Sequence, residues 1–192
     1  MDFLPFKIMK TEETNTYFTA DWHLFHTNII KYCKRPFEDS SKMNRTILDN
    51  MNSRITENDW LYFLGDMALV YDEKHLIYWL DGLRCRNICF IKGNHDKTAS
   101  KICNRFFWYK DIAEIRVQDQ PIVLCHYSMN TWNRSHRGSW HLYGHSHGTL
   151  PDNPNSMSMD VGVDTNNFFP YSFEDIKKRM SLKTFIPKDH HK

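Results

Sequence analysis

Five short apolar runs, at 17–19, 60–64, 88–91, 122–125 and 142–143, each stop beside residues with ligating or acid–base chemistry. The residues that follow are Asp21-Trp22-His23, Gly65-Asp66, Gly93-Asn94-His95-Asp96, His126 and Gly144-His145-Ser146-His147. Runs this short, bounded by turn residues, read as buried strands. Strands that repeatedly hand over to polar loops, with helical stripes between them, read as an α/β chain whose strand ends converge on one chemistry.

Singly, each fragment has a plain structural explanation. Asp21 and Gly65-Asp66 could be turn residues after strands, Asn94 a left-handed turn position, and His126 a satisfied core histidine in a chain with 11 histidines. None of these explains why one context recurs five times. Besides His95 and Asp96, the fragments supply two carboxylates, one amide and four imidazoles, donors that suit hard or borderline divalent ions, and a carboxylate can bridge two ions with its two oxygens. Asp66 is the natural bridge. Asp21, His23 and His147 would complete one site. Asn94 through its amide oxygen, His126 and His145 would complete the other, with the ions roughly 3.5–4 Å apart. Water held by two cations ionises near neutral pH, so no side-chain nucleophile is required and the inventory points to a dinuclear hydrolase.

The ordered set Asp-x-His, Gly-Asp, Gly-Asn-His-Asp, His and Gly-His-x-His, from Asp21 to His147, resembles the calcineurin-like metallophosphoesterase superfamily. The resemblance implies a four-layer α/β/β/α sandwich in a single domain without a cap, with ligands on loops at the carboxyl ends of strands. It also implies a metal-bridging hydroxide that attacks phosphorus in line. His95 matches the family's catalytic histidine, which would stabilise charge on the phosphate and protonate the departing oxygen while Asp96 orients its imidazole. The resemblance favours manganese for the two divalent ions, and the oxygen and nitrogen donors also accept iron, zinc, nickel or cobalt. Trp22 and Phe25 depart from the usual pattern. Large aromatics near a strand end are expected in the core rather than stacked on substrate, and they partly occlude the pocket mouth.

A length of 192 residues fits one domain spanning 1–192, with a motif core at 16–164 and a capped closing helix at about 172–181. Ile47, Leu48, Met51 and Ile55 form one helical stripe, and Leu76, Ile77, Leu80 and Leu83 another that stops near Gly82; both should cover a sheet face. The alternation at 158–164 reads as an outer strand. Asp160 and Asp164 are expected behind the ligands or in turns, because the set of seven already fills both sites. His190 and His191 fall in a polar tail.

With 25 basic and 23 acidic residues the net charge is +2, too small to steer a polyanion. Lys31, Lys34, Arg35, Arg134 and Arg137 are scattered rather than striped, so a nucleic-acid substrate is disfavoured. Five cysteines without a Cys-x-x-Cys pair read as reduced thiols in a cytoplasmic chain, without structural zinc. No apolar run reaches the ~18 residues that span a bilayer, and 1–16 lacks a continuous apolar core, so a soluble, unexported protein without a membrane partner is expected.

A short helix from His26 that ends before Pro36 would aim His26 and Asn28 at the metals. In the polar, aromatic and basic loop at 127–139, Asn133, His136 and Arg137 are candidate phosphate contacts, although a solvated surface loop fits nearly as well. Relatives that are protein phosphatases carry an arginine shortly after Gly-Asp and another directly before Gly-Asn-His; here those places hold Met67-Ala68-Leu69 and Lys92. That loss favours a phosphodiester: a cyclic nucleotide, a nucleotide-derived diester or an aryl diester. A phosphomonoesterase is the nearest rival and a nuclease the next. A metal-free protein-binding scaffold is the alternative outside enzymes, and the complete ligand set argues against it.

Overall fold

Alternation along the strands sorts side chains into two separate cores, and this sorting builds the molecule. The computed structural model describes residues 15–187, so His190 and His191 lie outside the described residues. In β2 (Trp60–Phe63), Leu61 and Phe63 face one core, while Tyr62 and the following Leu64 face the other. In β3 (Asn87–Ile91), Ile88 and Phe90 go one way, Cys89 and Ile91 the other. A period of two with both faces apolar is the mark of strands buried on both sides.

The first core lies between that sheet and a layer of helices: α1 (Thr27–Tyr32), α2 (Ser40–Arg54) and α3 (Glu73–Asp81). Met43, Ile47 and Met51 of α2, followed by Ile55, are buried at the expected helical spacing, as are Leu76 and Leu80 of α3. Asp39 caps α2 through the Lys42 N–H, and Asp72 caps α3 through the Lys74 N–H, satisfying otherwise orphaned donors. The second core lies between the two sheets and includes Phe173, Ile176 and Met180 of α5 (Phe173–Met180). A reciprocal Ser172–Asp175 capping box starts that helix, within the range read from the sequence.

The first sheet runs β4 (Trp108–Lys110), β3, β2, β1 (Thr16–Thr19), β9 (Tyr171–Ser172), all parallel except β9. The second runs β5 (Ile112–Val117), β6 (Gln120–Cys125), β7 (Trp140–Tyr143), β8 (Ser158–Asp160), with β5 antiparallel and the rest parallel. The result is an α/β fold of two sheets flanked by helices, the shortest of them being α4 (Lys97–Lys101). Among the described residues no helix is long and apolar enough to cross a membrane.

One expectation changes. The outer strand at 158–164 ends at Asp160, whose carboxylate accepts from the Gly162 and Gly148 N–H groups and turns the chain into a 3-10 turn over Val163–Thr165. Trp22 belongs to the core: it is buried, its indole N–H donates to Thr19, and its ring meets Phe63 edge-on at 4.8 Å. Phe25 packs half-buried on His75 and Trp79 of α3.

Candidate metal centre

Parallel neighbours end at the same edge of a sheet, so the loops after β1, β2 and β3 emerge side by side, as do those after β6 and β7. The two edges are tied to each other. The His126 Nδ1–H donates across the sheets to the Leu64 carbonyl at 2.8 Å, the His145 N–H donates to the Asp21 carboxylate at 2.9 and 3.0 Å, and Val163 N–H donates to the Ala20 carbonyl at 3.1 Å.

The loops meet closely enough to require glycine. Gly65 has φ +93°, and a Cβ there would lie 2.6 Å from His126 Nδ1; at Gly93 a Cβ would lie 2.2 Å from Asp66 Oδ1. Asp21, His23, Asp66, His145 and His147 also adopt left-handed backbone, with φ between 48° and 67°. Such residues cost on the order of 1–3 kcal/mol each and persist only where their surroundings hold them. Asp96 does much of that holding. Its carboxylate accepts from the Asp66 N–H at 2.7 Å, the Met67 N–H at 2.9 Å and the Gly93 N–H at 2.7 Å. This corrects the expectation that Asp96 orients the His95 ring: both its oxygens are committed to backbone, and it staples the Asp66 loop to the Gly93 loop.

The seven sequence-nominated ligands come together in two groups. Ligand atoms of Asp21, His23 and His147 lie within 4.8 Å of one another, as do those of Asp66, His126 and His145. Asp66 Oδ2 stands between them, 3.5 Å from His23 Nε2 and 3.5 Å from His126 Nε2, while its Oδ1 accepts from the His95 N–H at 2.8 Å. Asn94 Oδ1 is 3.2 Å from His126 Nε2. A third grouping of Cys33, His147 and Asp164 lies within the same spacing. It is a poor metal site, because the Arg35 guanidinium already occupies both oxygens of Asp164.

The donor set fits divalent cations on its own chemistry. His23 is buried, and among the described residues neither ring nitrogen has a hydrogen-bond partner. An orphaned imidazole in the interior is costly unless a ligand takes its lone pair. Burial pushes the His23 pKa down to about 3, which keeps it neutral and able to coordinate. His126 gives its Nδ1–H to Leu64, so in the neutral ring Nε2 converges as an acceptor with Asn94 Oδ1 and Asp66 Oδ2. Burial alone would lower the His126 pKa, but the Asp66 carboxylate beside it, with Asp21 beyond, holds it above the usual imidazole range. Burial also opposes ionisation of Asp66, yet His126 and the His95 N–H hold that carboxyl down at about 2. Asp21, wholly enclosed, is pushed up to about 7 by burial. Acceptors crowded into a dry pocket with too few protons to share are suited to hard cations.

Around this centre His95 stands edge-on to His23, with ring centroids 5.3 Å apart, and His26 lies 5.5 Å from His23 and 6.2 Å from His95. His26 Nδ1 is buried without a partner among the described residues, so this sequence-nominated residue does join the cluster. Asn28 is exposed on α1. Tyr127, half exposed, packs on the His126 and His145 rings and donates towards Asn94 Oδ1 at 3.5 Å.

Asn133, His136 and Arg137 are not brought to the centre, a correction to the expected phosphate contacts. After His126 the chain runs back along the sheet to start β7, which is parallel to β6, so residues shortly before Trp140 sit at the opposite end of the strands. The Gly138 carbonyl accepts from Gln120 at the start of β6, and Asn133 donates to Glu114 on the edge strand at 2.9 Å. His136 and Arg137 belong to the 3-10 turn Ser135–Arg137 beside that bond. Strand order gives the signal: a residue just ahead of a parallel strand cannot share the edge where the previous strand ended. Besides Tyr127, two residues outside the nominated set reach the centre from behind the ligands. Asp164 accepts from His147 Nδ1–H at 2.7 Å, and Arg35 binds both Asp164 oxygens.

Comparison with known proteins agrees with this architecture. The family model for calcineurin-like phosphoesterase matches residues 14–176. The uncharacterized protein MJ1445 of Methanocaldococcus jannaschii is 33% identical over 171 residues, covering 84% of this chain and 89% of that one. The crystal structure of AQ665 from Aquifex aeolicus, a protein of unknown function, shares the fold with a TM-score of 0.67 at 22% identity, over 87% of this chain and 100% of that one. The chain therefore belongs to the calcineurin-like phosphoesterases, hydrolases of phosphoric esters that work with divalent metal ions.

Proposed function

We propose that this protein is a dinuclear phosphodiesterase acting as one capless domain on a small, nucleotide-derived or aryl diester. The observation that carries the reading is the placement of Asp66 Oδ2 at 3.5 Å from an imidazole of each half-site. In this reading Asp21, His23, Asp66 and His147 hold one ion, and Asp66, Asn94, His126 and His145 hold the other, with manganese the favoured metal. When bound, the ions supply Lewis acidity and a nucleophilic oxygen derived from water.

The protein's own groups do the rest. Asp66 keeps the two half-sites in register, Asp96 holds the Asp66 loop, and the Leu64 carbonyl fixes the His126 tautomer so that Nε2 faces the centre. His95, beside His23 at the exposed side of the cluster, is the proton donor for the departing oxygen. His26 is the neighbouring candidate for contact with the ester. The diester preference is supported by what replaces the phosphatase arginines. Met67 and Ala68, at the first arginine's place, are buried against the helical core and supply no cation, and at the second place the exposed Lys92 offers an ammonium without an arginine's bidentate grip on a monoester. Five free cysteines fit work in a reducing cytoplasm.

Assays on metal-loaded protein with bis(p-nitrophenyl) phosphate and p-nitrophenyl phosphate test the reading. The diester is expected to be turned over faster. Activity confined to the monoester would reverse the assignment, and inactivity on both with manganese bound would leave the scaffold alternative.

A further inference from the structure

Arg35 lies buried between the ligand loops, with its side chain wholly enclosed, and its donors are aimed at them. Nε and Nη2 donate to the two oxygens of Asp164 at 2.8 and 2.7 Å. Nη2 also reaches the Asp21 carbonyl at 2.7 Å, and Nη1 reaches the Trp22 carbonyl at 2.9 Å. Phe168 lies over the guanidinium at 5.7 Å. Asp164 in turn accepts the Nδ1–H of His147 at 2.7 Å. One side chain thus touches the supports of three ligands: the two peptide units joining Asp21 to His23, and the carboxylate that orients His147.

We propose that Arg35 is the positioning residue of the half-site formed by Asp21, His23 and His147, clamping the Asp21-Trp22-His23 turn and holding Asp164 against His147. The inference rests on the metal-binding reading given under the proposed function. Two features separate it from simple core filling. First, Asp21 and His23 both have left-handed backbone, with φ of 59° and 50°, and the pinned carbonyls belong to the peptides between them. A strained turn needs an external hold, and the Arg fork grips two successive carbonyls that no apolar residue could. Second, a buried ion pair is an inefficient way to fill a core, since desolvation consumes most of its attraction. Here the acid is shared with a ligand histidine. With Nδ1–H given to Asp164, the tautomer of His147 leaves Nε2 unprotonated toward His23, whose ring lies 5.1 Å away.

The second half-site is supported without Arg35, by Asp96 stapling the Asp66 and Gly93 loops. His126 is oriented by a main-chain carbonyl, while His145 and Asn94 are exposed. Weakening Arg35 should therefore affect one ion and spare the other. Arg35→Lys keeps the charge but cannot grip two carbonyls and both carboxylate oxygens together.

The test is titration of chelator-stripped full-length protein with Mn2+, followed by calorimetry and by electron paramagnetic resonance, alongside thermal melting. For Arg35→Lys the expected result is a roughly 10–100-fold weaker affinity for one of the two ions, with the other nearly unchanged. Turnover lost at limiting Mn2+ should return in excess Mn2+, with KM for the diester unaltered. A merely structural role would lower the melting temperature without this one-ion loss or its rescue. Asp164→Asn breaks the same chain at its other end and should give the same one-ion signature. Folded Arg35→Lys or Asp164→Asn protein that binds both ions as tightly as the parent overturns the inference. So does loss of the fold in both variants that Mn2+ does not restore. A parent protein that takes up no Mn2+ would instead refute the underlying metal reading.

Discussion

The Nδ1–H of His126 donates to the main-chain carbonyl of Leu64 at 2.8 Å, a bond that crosses from the second sheet to the first. It sets which ring nitrogen faces Asp66 and Asn94, so a single contact both joins the sheets and prepares a ligand. His126→Ala removes the ligand and opens a polar gap. The variant should bind one fewer Mn2+ per chain at concentrations that saturate the parent, with turnover down roughly a hundredfold or more. Elemental analysis of the folded variant checks this; full occupancy would remove His126 from the ligand set.

His95 touches the centre through its own N–H to Asp66 and its ring against His23. If it donates the proton to the leaving oxygen, His95→Asn lowers kcat by about 10²–10⁴ while both ions remain bound. The defect should shrink for substrates whose leaving group needs no proton, such as nitrophenolate. An equal defect across leaving groups would assign His95 to charge stabilisation alone.

The loop at 127–139 should be inert toward substrate at its far end. Arg137→Ala is expected to leave kcat and KM within about twofold, as for an ordinary surface change. A clear rise in KM would mean that the loop folds back over the centre in solution.

Proton competition gives the metal site a pH dependence of known sign. Burial lifts Asp21 to about 7 against the opposing pull of His147 and His126, and Asp66 holds His126 above its usual range despite burial. Raised values mean that both groups keep protons on the acid side of neutrality, and each must lose its proton to coordinate. Mn2+ affinity should therefore rise with pH through about 7 and fall on acidification, roughly tenfold per pH unit for each proton displaced. His23, pushed down to about 3 by burial, adds no competition above pH 5. Calorimetry in buffers of different ionisation enthalpy counts the protons released; pH-independent affinity between 6 and 8 would contradict these assignments.

The ligands could be read from the chain because each follows its strand within a single short loop, so local order carries the spatial fact. Asp66 sits next to Gly65 because a Cβ at 65 would collide with His126, a three-dimensional constraint that leaves a trace in two letters. The pairing of Arg35 with Asp164 leaves no such trace. They are separated by 129 positions, and Arg35 looks like any surface cation until the fold encloses it. Asp96 was misjudged for a related reason. Its neighbour His95 suggested a side-chain partner, but the Gly93 N–H of its own turn and the Asp66 and Met67 N–H groups of the facing loop take both oxygens. β4 and β9, with three and two residues, are too short to show a period. They exist because longer neighbours offer them an edge to pair with.

Metal stoichiometry in the parent and in Asp66→Asn tests the central claim most directly. At saturating Mn2+ the parent should hold two ions per chain with the exchange-coupled spectrum of a bridged pair, and Asp66→Asn should lose the coupling, bind both ions more weakly and fall about a thousandfold or more in turnover. A parent that saturates with a single uncoupled ion, or an Asp66→Asn protein of near-normal rate, would contradict the account.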